Sequence, residues 1–356
     1  MNFVNRVLDS NKGIITRARA PLRLGLAGGG TDLSPYCQVY GGAILNVTID
    51  RYAYAFISDS TDQNTHFAAL DIGVEESFAA NDALSTECHL KLHQGVYSRV
   101  VRDFLGGNAP ALSIQTAVDA PAGSGLGSSS ALVVALLEAF RDRYKLPLGR
   151  YEVARLAWEI ERQDLGLAGG RQDQYAAAFG GVNYMEFLPD DRVIVNPLRL
   201  APGAAEEIES SLVICFTGQS RRSHEIIVEQ TNAMNSSNLQ AIEALHQLKA
   251  DCQAMKVAFV HGDIAGIAKV LQSSWEAKQK TAKGVSNQLI EDMYTIAMRS
   301  GALAGKISGA GGGGFMMFIT RPEMRRQLIA ALRAAGGDAE VAAFSFTGAV
   351  TWNTKR

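Results

Sequence analysis

Paired cysteines are missing from this chain of 356 residues: Cys37, Cys88, Cys215 and Cys252 stand far apart, with no Cys-x-x-Cys among them. That argues against a zinc knuckle or a disulfide framework and predicts reduced, mostly buried thiols. An excess of charge is missing too, since 34 basic side chains meet 36 acidic ones for a formal net charge of −2. A chain so balanced gives no electrostatic reason to bind nucleic acid or an anionic membrane. No apolar run approaches the roughly 18 residues of a membrane span. The opening stretch M-N-F-V-N-R-V-L-D-S-N-K holds no apolar core of signal-peptide length, so the expected compartment is the cytoplasm. Of the six histidines only His89 and His93 stand close, at i,i+4 and without a well-spaced acidic ligand, and they read as a surface pair. Two nucleotide signatures are also absent. The central glycine-rich stretch lacks the Gly-Lys-Ser/Thr ending of a P-loop, and it runs G-x-G-x-G where a dinucleotide fold wants G-x-G-x-x-G.

What is there is an ordinary globular composition, 47% hydrophobic and 20% charged, in a length that suits two domains. The stretch around which the rest is organised is P-A-G-S-G-L-G-S-S-S-A, residues 121–131. Before it, Leu112, Ile114, Thr116 and Val118 alternate with Ser113, Gln115 and Ala117, the period of a two-faced strand. After it, residues 131–140 are almost wholly apolar, as in a helix packed deep in a core. Gly123, Gly125 and Gly127 remove side chains so that backbone N–H groups can approach a ligand, and Ser128, Ser129 and Ser130 stand where the helix begins. A helix N-terminus offers free N–H donors and partial positive charge, which favours phosphate. For this loop alone, a buried serine-rich turn without a ligand explains the residues equally well.

Two further glycine loops break the tie. Residues 14–26 read as a strand with Arg17, Arg19 and Arg23 on one face, entering Gly28-Gly29-Gly30 with Thr31 and Asp32 at its edge. The third, G-K-I-S-G-A-G-G-G-G over 305–314, lies between two strands. Between them, 41–57 reads as one or two strands, 88–104 as a helix, and Tyr151–Gln163 as a helix burying Val153, Leu156, Ala157 and Ile160. Glu159 and Glu161 then project elsewhere, on a solvated acidic face in the plain reading. Asp173 sits in A-G-G-R-Q-D-Q-Y, held at a close-packed turn or capping a helix. Pro189, Pro197 and Pro202 place a domain boundary near 190–205. A buried strand follows at 211–218, then the basic turn Ser220 to His224. Helices are expected over 225–262, 264–274, 287–300 and 322–335, with Lys278 at a junction and a closing strand at 339–346.

Three glycine loops in order, each beside Ser, Arg, Glu or Asp, resemble the GHMP family of small-molecule kinases. The motifs that carry the likeness are A-P-L-R-L-G-L-A-G-G-G-T-D at 20–32, P-A-G-S-G-L-G-S-S-S-A at 121–131 and K-I-S-G-A-G-G-G-G at 306–314. The resemblance covers most of the chain and implies an α/β (α+β) fold of two domains. These are a mixed-sheet N-terminal domain over residues 1–195 and a ferredoxin-like C-terminal domain over 196–356. It implies ATP and Mg²⁺ as cofactors. By it, Pro121, Gly123, Ser124, Gly125, Leu126, Gly127, Ser128, Ser129 and Ser130 wrap the ATP phosphates. Ser129 and Glu161 hold the ion, Asp173 faces the substrate hydroxyl, and Arg23 lies by the transferred phosphoryl. Gly29, Gly30, Thr31, Asp32, Gln172, Gly309, Ala310 and Gly311 surround the substrate, Asp32 matching a sugar-hydroxyl contact. The chemistry suits these residue types: phosphoryl transfer needs cations on the γ-phosphate and an in-line nucleophile, and Mg²⁺ takes only one or two carboxylates.

Gly29 and Gly30 stand where the galactokinase-like motif carries Glu and His, which argues against galactose. Within the family the motifs look most like the branch of bacterial D-glycero-D-manno-heptose 7-phosphate kinases, which phosphorylate the anomeric oxygen for nucleotide-activated heptose. A phosphorylated substrate needs a second anion site, for which the candidates are Arg171, Arg221 and Arg222, with Lys278 a further one. The alternatives are a kinase of a neutral sugar such as L-fucose and a non-catalytic sugar and ATP sensor. The expected partners are ATP and a sugar phosphate, with no nucleic acid or membrane and with a homo-oligomer left open.

Overall fold

Strand β1 (Ile14–Ala27) carries the first motif, and the long β2 (Gly42–Asp59) lies beside it as the spine of the molecule. The remaining strands are β3 (Asn64–Ala69), β4 (Val74–Ala79), β5 (Leu112–Val118), β6 (Val182–Phe187), β7 (Val193–Pro197), β8 (Leu212–Phe216), β9 (Ala302–Ile307), β10 (Phe315–Thr320), β11 (Asp338–Glu340) and β12 (Val350–Lys355). The computed structural model describes residues 13–84, 87–219, 223–236 and 238–355.

β2 is one continuous strand because Ala43, Leu45, Val47, Ile49, Ala53, Ala55 and Ile57 all have a core to face. Its first part pairs with β6 and its second with β5, while β1 runs antiparallel along its other side. With β12 beyond β1, the parallel pair β5–β3, and β4 and β7 at the edges, these strands make an eight-stranded mixed sheet. The helix Ser128–Tyr144 packs under β1 and β2, and Ala131 to Phe140 are all buried. An apolar surface on every side fits a helix enclosed by sheet and neighbours.

The second sheet has the order β11-β8-β10-β9, every pairing antiparallel. With helices between β8 and β9 and between β10 and β11, this is the ferredoxin-like arrangement. The third glycine loop is the turn joining β9 to β10, and Met316 and Phe318 of β10 pack into the core beneath. All four cysteines are free and buried. Among the described residues no helix is long and apolar enough to cross a membrane.

Two expectations need correction, the closing strand and the place of His93. The closing strand at 339–346 is instead β11, an irregular stretch, and β12. Asp50 N–H donates to Ala343 O at 3.0 Å and Ser345 N–H to Thr48 O at 2.9 Å, so this stretch bonds across mid-β2 and not within a ladder. Arg17 and Arg19 stack over Phe56 and Tyr52 on the open part of their face of β1, and Arg23 keeps their alternation but is buried. His93 is not on the surface. It is buried, its ring 2.9 Å from Thr116 Oγ1, and burial pushes its imidazole down to about 4.

Candidate active site

The three glycine loops meet at one point, and backbone contacts hold them there. Gly125, at φ +78°, lies so close to the third loop that a Cβ on it would come within 2.6 Å of Ser308 O. Only glycine suits both that backbone angle and that approach. Ser308 Oγ donates to Gly125 O at 3.0 Å and Phe315 N–H to Ser124 O at 2.8 Å. From the first motif, Arg23 N–H donates to Leu126 O at 3.0 Å and its guanidinium to Gly125 O at 2.6 Å. The second loop then turns into the helix at Ser128, with its N-terminal donors facing a cleft.

Arg23 is 4% exposed, and its Nε and NH2 both reach Asp173 Oδ1 at 2.7 Å. Asp173 lies in the first turn of the helix Gln172–Phe179, with 23% of its side chain exposed toward the cleft. Asp32 meets the same helix from outside. Its Oδ2 accepts Arg171 N–H at 2.9 Å and Gln172 N–H at 3.1 Å, and Oδ1 accepts Gln172 Nε2 at 3.4 Å. Burial, with Asp173's charge adding, pushes the Asp32 carboxyl above its usual range, against the pull of those N–H groups. Thr31 is turned inward, its hydroxyl bridging Gly28 O at 2.8 Å and Ala43 O at 2.9 Å.

Across the cleft, Ser129 Oγ donates to Glu161 Oε1 at 3.1 Å, and Gln174 Nε2 to Glu161 Oε2 at 2.5 Å. Glu161 is 1% exposed, so it is not on a solvated face. The helix Arg150–Glu159 gives way to a π turn over Ile160–Asp164, and the extra residue per turn brings Glu161 and Arg162 to the cleft together. Arg162 then holds the following loop, donating to the carbonyls of Leu167, Ala168 and Gly170 at 3.3–3.4 Å. No pattern in the apolar spacing announces a π turn, which is why the helix period misassigned Glu161.

Gly29, Gly30, Gln172, Gly309 and Ala310 line the cleft, as does Lys278, whose ammonium donates to Gly309 O. Burial and then Arg23's charge push Lys278 down to about 8, opposed by Asp32. Gly311 packs on Val285 in the third loop. Arg171 turns away, paired with Asp191 and stacked on Trp158 with 4.5 Å to the ring centroid. Arg221 and Arg222 lie outside the described residues. Arg162, His224, Ile227 and Gln230 complete the cleft wall and were not foreseen, because nothing local marks them. A second recess opens beside the second glycine loop, sharing Gly123, Ser128 and Ser129 and walled by Ile72, Leu92, Val118, Leu132 and Leu167. Its apolar residues come from separate elements and read as core in sequence.

The GHMP kinases N terminal domain matches residues 91–181 and the GHMP kinases C terminal domain residues 255–338. Over 336 residues, 94% of this chain and 98% of the relative, the sequence is 41% identical to the D-glycero-alpha-D-manno-heptose 7-phosphate kinase of Campylobacter jejuni. The chain belongs to the GHMP kinase family. A crystal structure of a D-glycero-D-manno-heptose 1-phosphate kinase from Bacteroides thetaiotaomicron superposes with a TM-score of 0.81 at 42% identity, covering 95% of this chain and 98% of that one. Similarity at 25% identity extends over 88% of this chain and 31% of a bifunctional fucokinase/GDP-fucose pyrophosphorylase from Arabidopsis thaliana. GHMP kinases use ATP as phosphoryl donor, and this chain is an ATP-dependent kinase of that class.

Proposed function

We propose that this GHMP kinase transfers the γ-phosphoryl of ATP to the anomeric hydroxyl of D-glycero-D-manno-heptose 7-phosphate, giving the 1,7-bisphosphate that nucleotide-activated heptose synthesis would consume. The observation that carries the reading is the Arg23–Asp173 pair at the junction of the three loops. Arg23 clamps Asp173 through Oδ1, and among the described residues no side chain donates to Oδ2. On this reading Oδ2 accepts the hydrogen of the sugar hydroxyl and aims the hydroxyl's lone pair along the transfer line. The ATP phosphates would lie over the Gly123–Ser130 turn and the base in the apolar recess beside it. Ser129 and Glu161 present a hydroxyl and one carboxylate, hard oxygen donors of the kind Mg²⁺ takes while keeping water and phosphate oxygens as its other ligands. Among the described residues no three His, Cys, Asp or Glu side chains cluster as a metal set. Bound there, the ion would offset charge on the transferring phosphate.

For the sugar, the 41% identity to the Campylobacter jejuni kinase supports a heptose that already carries phosphate. The Bacteroides relative's name places phosphate at carbon 1, so the position of transfer needs its own measurement. The test is ADP release with the 7-phosphate, the unphosphorylated heptose, mannose, fucose and galactose, with ³¹P spectra of the product, in wild type and Asp173→Asn. An anomeric phosphate formed from the 7-phosphate alone, and lost in the variant, is the expected result. Turnover of a neutral sugar only would keep the kinase and overturn the phosphorylated substrate. ATP binding with no turnover would favour the sensor.

A further inference from the structure

Lys278 is buried at the sugar end of the cleft, and the transfer described above leaves it unused. It closes the helix Ile264–Gln279, is 4% exposed, and faces the cleft beside Gly29, Gly30 and Asp32. Its ammonium has three hydrogens, and among the described residues its one acceptor is Gly309 O. Its neighbours oppose it. Arg23 is a like charge, already matched to Asp173, and buried Lys306 adds another, donating to Leu26 O at 3.0 Å. The nearby carboxylate, Asp32, is occupied by the N–H groups of Arg171 and Gln172. Arg162 is tied to loop carbonyls. An ammonium buried with spare donors and surplus like charge costs stability unless an anion joins it.

We propose that Lys278 is a substrate-binding residue whose ammonium takes a phosphate oxygen inside the cleft. The inference rests on the kinase reading. Two phosphates could supply that oxygen: the phosphoryl in transit between ATP and the sugar, since Lys278 adjoins the Gly309–Gly125 contact, or the phosphate the sugar already carries. The experiment compares wild type and Lys278→Met by ADP release at saturating ATP over a range of the heptose 7-phosphate and of the unphosphorylated heptose, with a melting curve for each protein. The expected result is a melting temperature equal to or above wild type with a loss of about 100-fold or more in kcat/KM. A loss in kcat shared by both sugars assigns the oxygen to the phosphoryl in transit. A rise in KM confined to the phosphorylated sugar assigns it to the substrate's own phosphate. A loss under about threefold on both, in a protein that melts normally, overturns the proposal. If wild type prefers some other sugar, the heptose reading fails and the same comparison on that sugar still decides Lys278. Should Lys278→Met not fold, Lys278→Gln replaces it, and failure of both would make the residue structural and overturn the proposal.

Discussion

Asp32 and Asp173 stand at the N-terminus of one short helix, each a lone acid next to glycines in sequence, and the fold gives them different work. Asp32 comes from the first glycine loop, is buried, and accepts the two leading N–H groups of the helix. Asp173 belongs to the helix itself, stays partly open to the cleft, and pairs with Arg23 across the sheet edge. Asp32 thus holds the helix in place, and Asp173 uses that placement. A carboxylate near a helix N-terminus is favourable in either role, so residue type alone does not separate them. Their partners do.

Substitution at Asp173 should have the largest effect. Asp173→Asn keeps the shape but weakens both the clamp to Arg23 and the acceptor at Oδ2, so kcat should fall by about 10²–10⁴-fold. ADP release together with a melting curve checks this, and the melting temperature should fall by a few degrees, since the amide leaves the buried Arg23 guanidinium without its carboxylate. Asp32→Asn should show the reverse balance. Exchanging a carboxylate for an amide weakens two backbone bonds at a buried helix end, for a loss of about 1–3 kcal/mol in urea unfolding, while kcat should fall by less than about tenfold. Should Asp32→Asn instead lose activity as Asp173→Asn does while melting normally, the division of roles would be wrong.

Gly170→Ala sharpens the same contrast without touching either acid. A Cβ there would lie 1.9 Å from Asp32 Oδ2, so Asp32 must leave the helix end or the loop must move. The expected cost is about 1–3 kcal/mol, and it should not add fully to that of Asp32→Asn, since both remove the same contact. Full additivity in a double-mutant cycle would show that Gly170 acts elsewhere.

The sequence displayed the loops plainly because glycine carries a local signature. Turns at Gly28–Gly30, Gly123–Gly127 and Gly309–Gly314 could be read one at a time, as could the alternating strands around them. Sequence alone could not show that Gly125 touches Ser308, since that contact joins residues 183 positions apart. Family likeness named Arg23, Asp173, Ser129 and Glu161, and the structure brings these four to one cleft. Arg171 shows the limit of residue type. Arginine suits phosphate, yet here Asp191 and Trp158 take its fork and face. Lys278 and the π turn at Glu161 depend on packing between elements, which no local period reports.

The contrast between a paired and an unpaired charge extends to the cations, and there pH should reveal it. Arg23 has Asp173, whereas Lys306 is buried with Lys278 and Arg23 for company. Burial first, then those two charges, push Lys306 from 10.5 down to about 7. Between these values the unfolded chain holds a proton that the folded protein has released. Stability from this group therefore rises with pH across that window, by up to about 1.4 kcal/mol per unit. Below about 7 both states are protonated and the cost of the buried ammonium is full and constant. Lys306→Met removes that cost along with the hydrogen bond to Leu26 O, which offsets part of the gain. Urea unfolding at pH 6.5 and pH 9 should thus show the variant's stability relative to wild type to be greater at the lower pH, with wild type recovering ground at the higher. A difference that does not change with pH would mean that Lys306 keeps its proton in the folded protein, and that an anion or water the cations share already satisfies it.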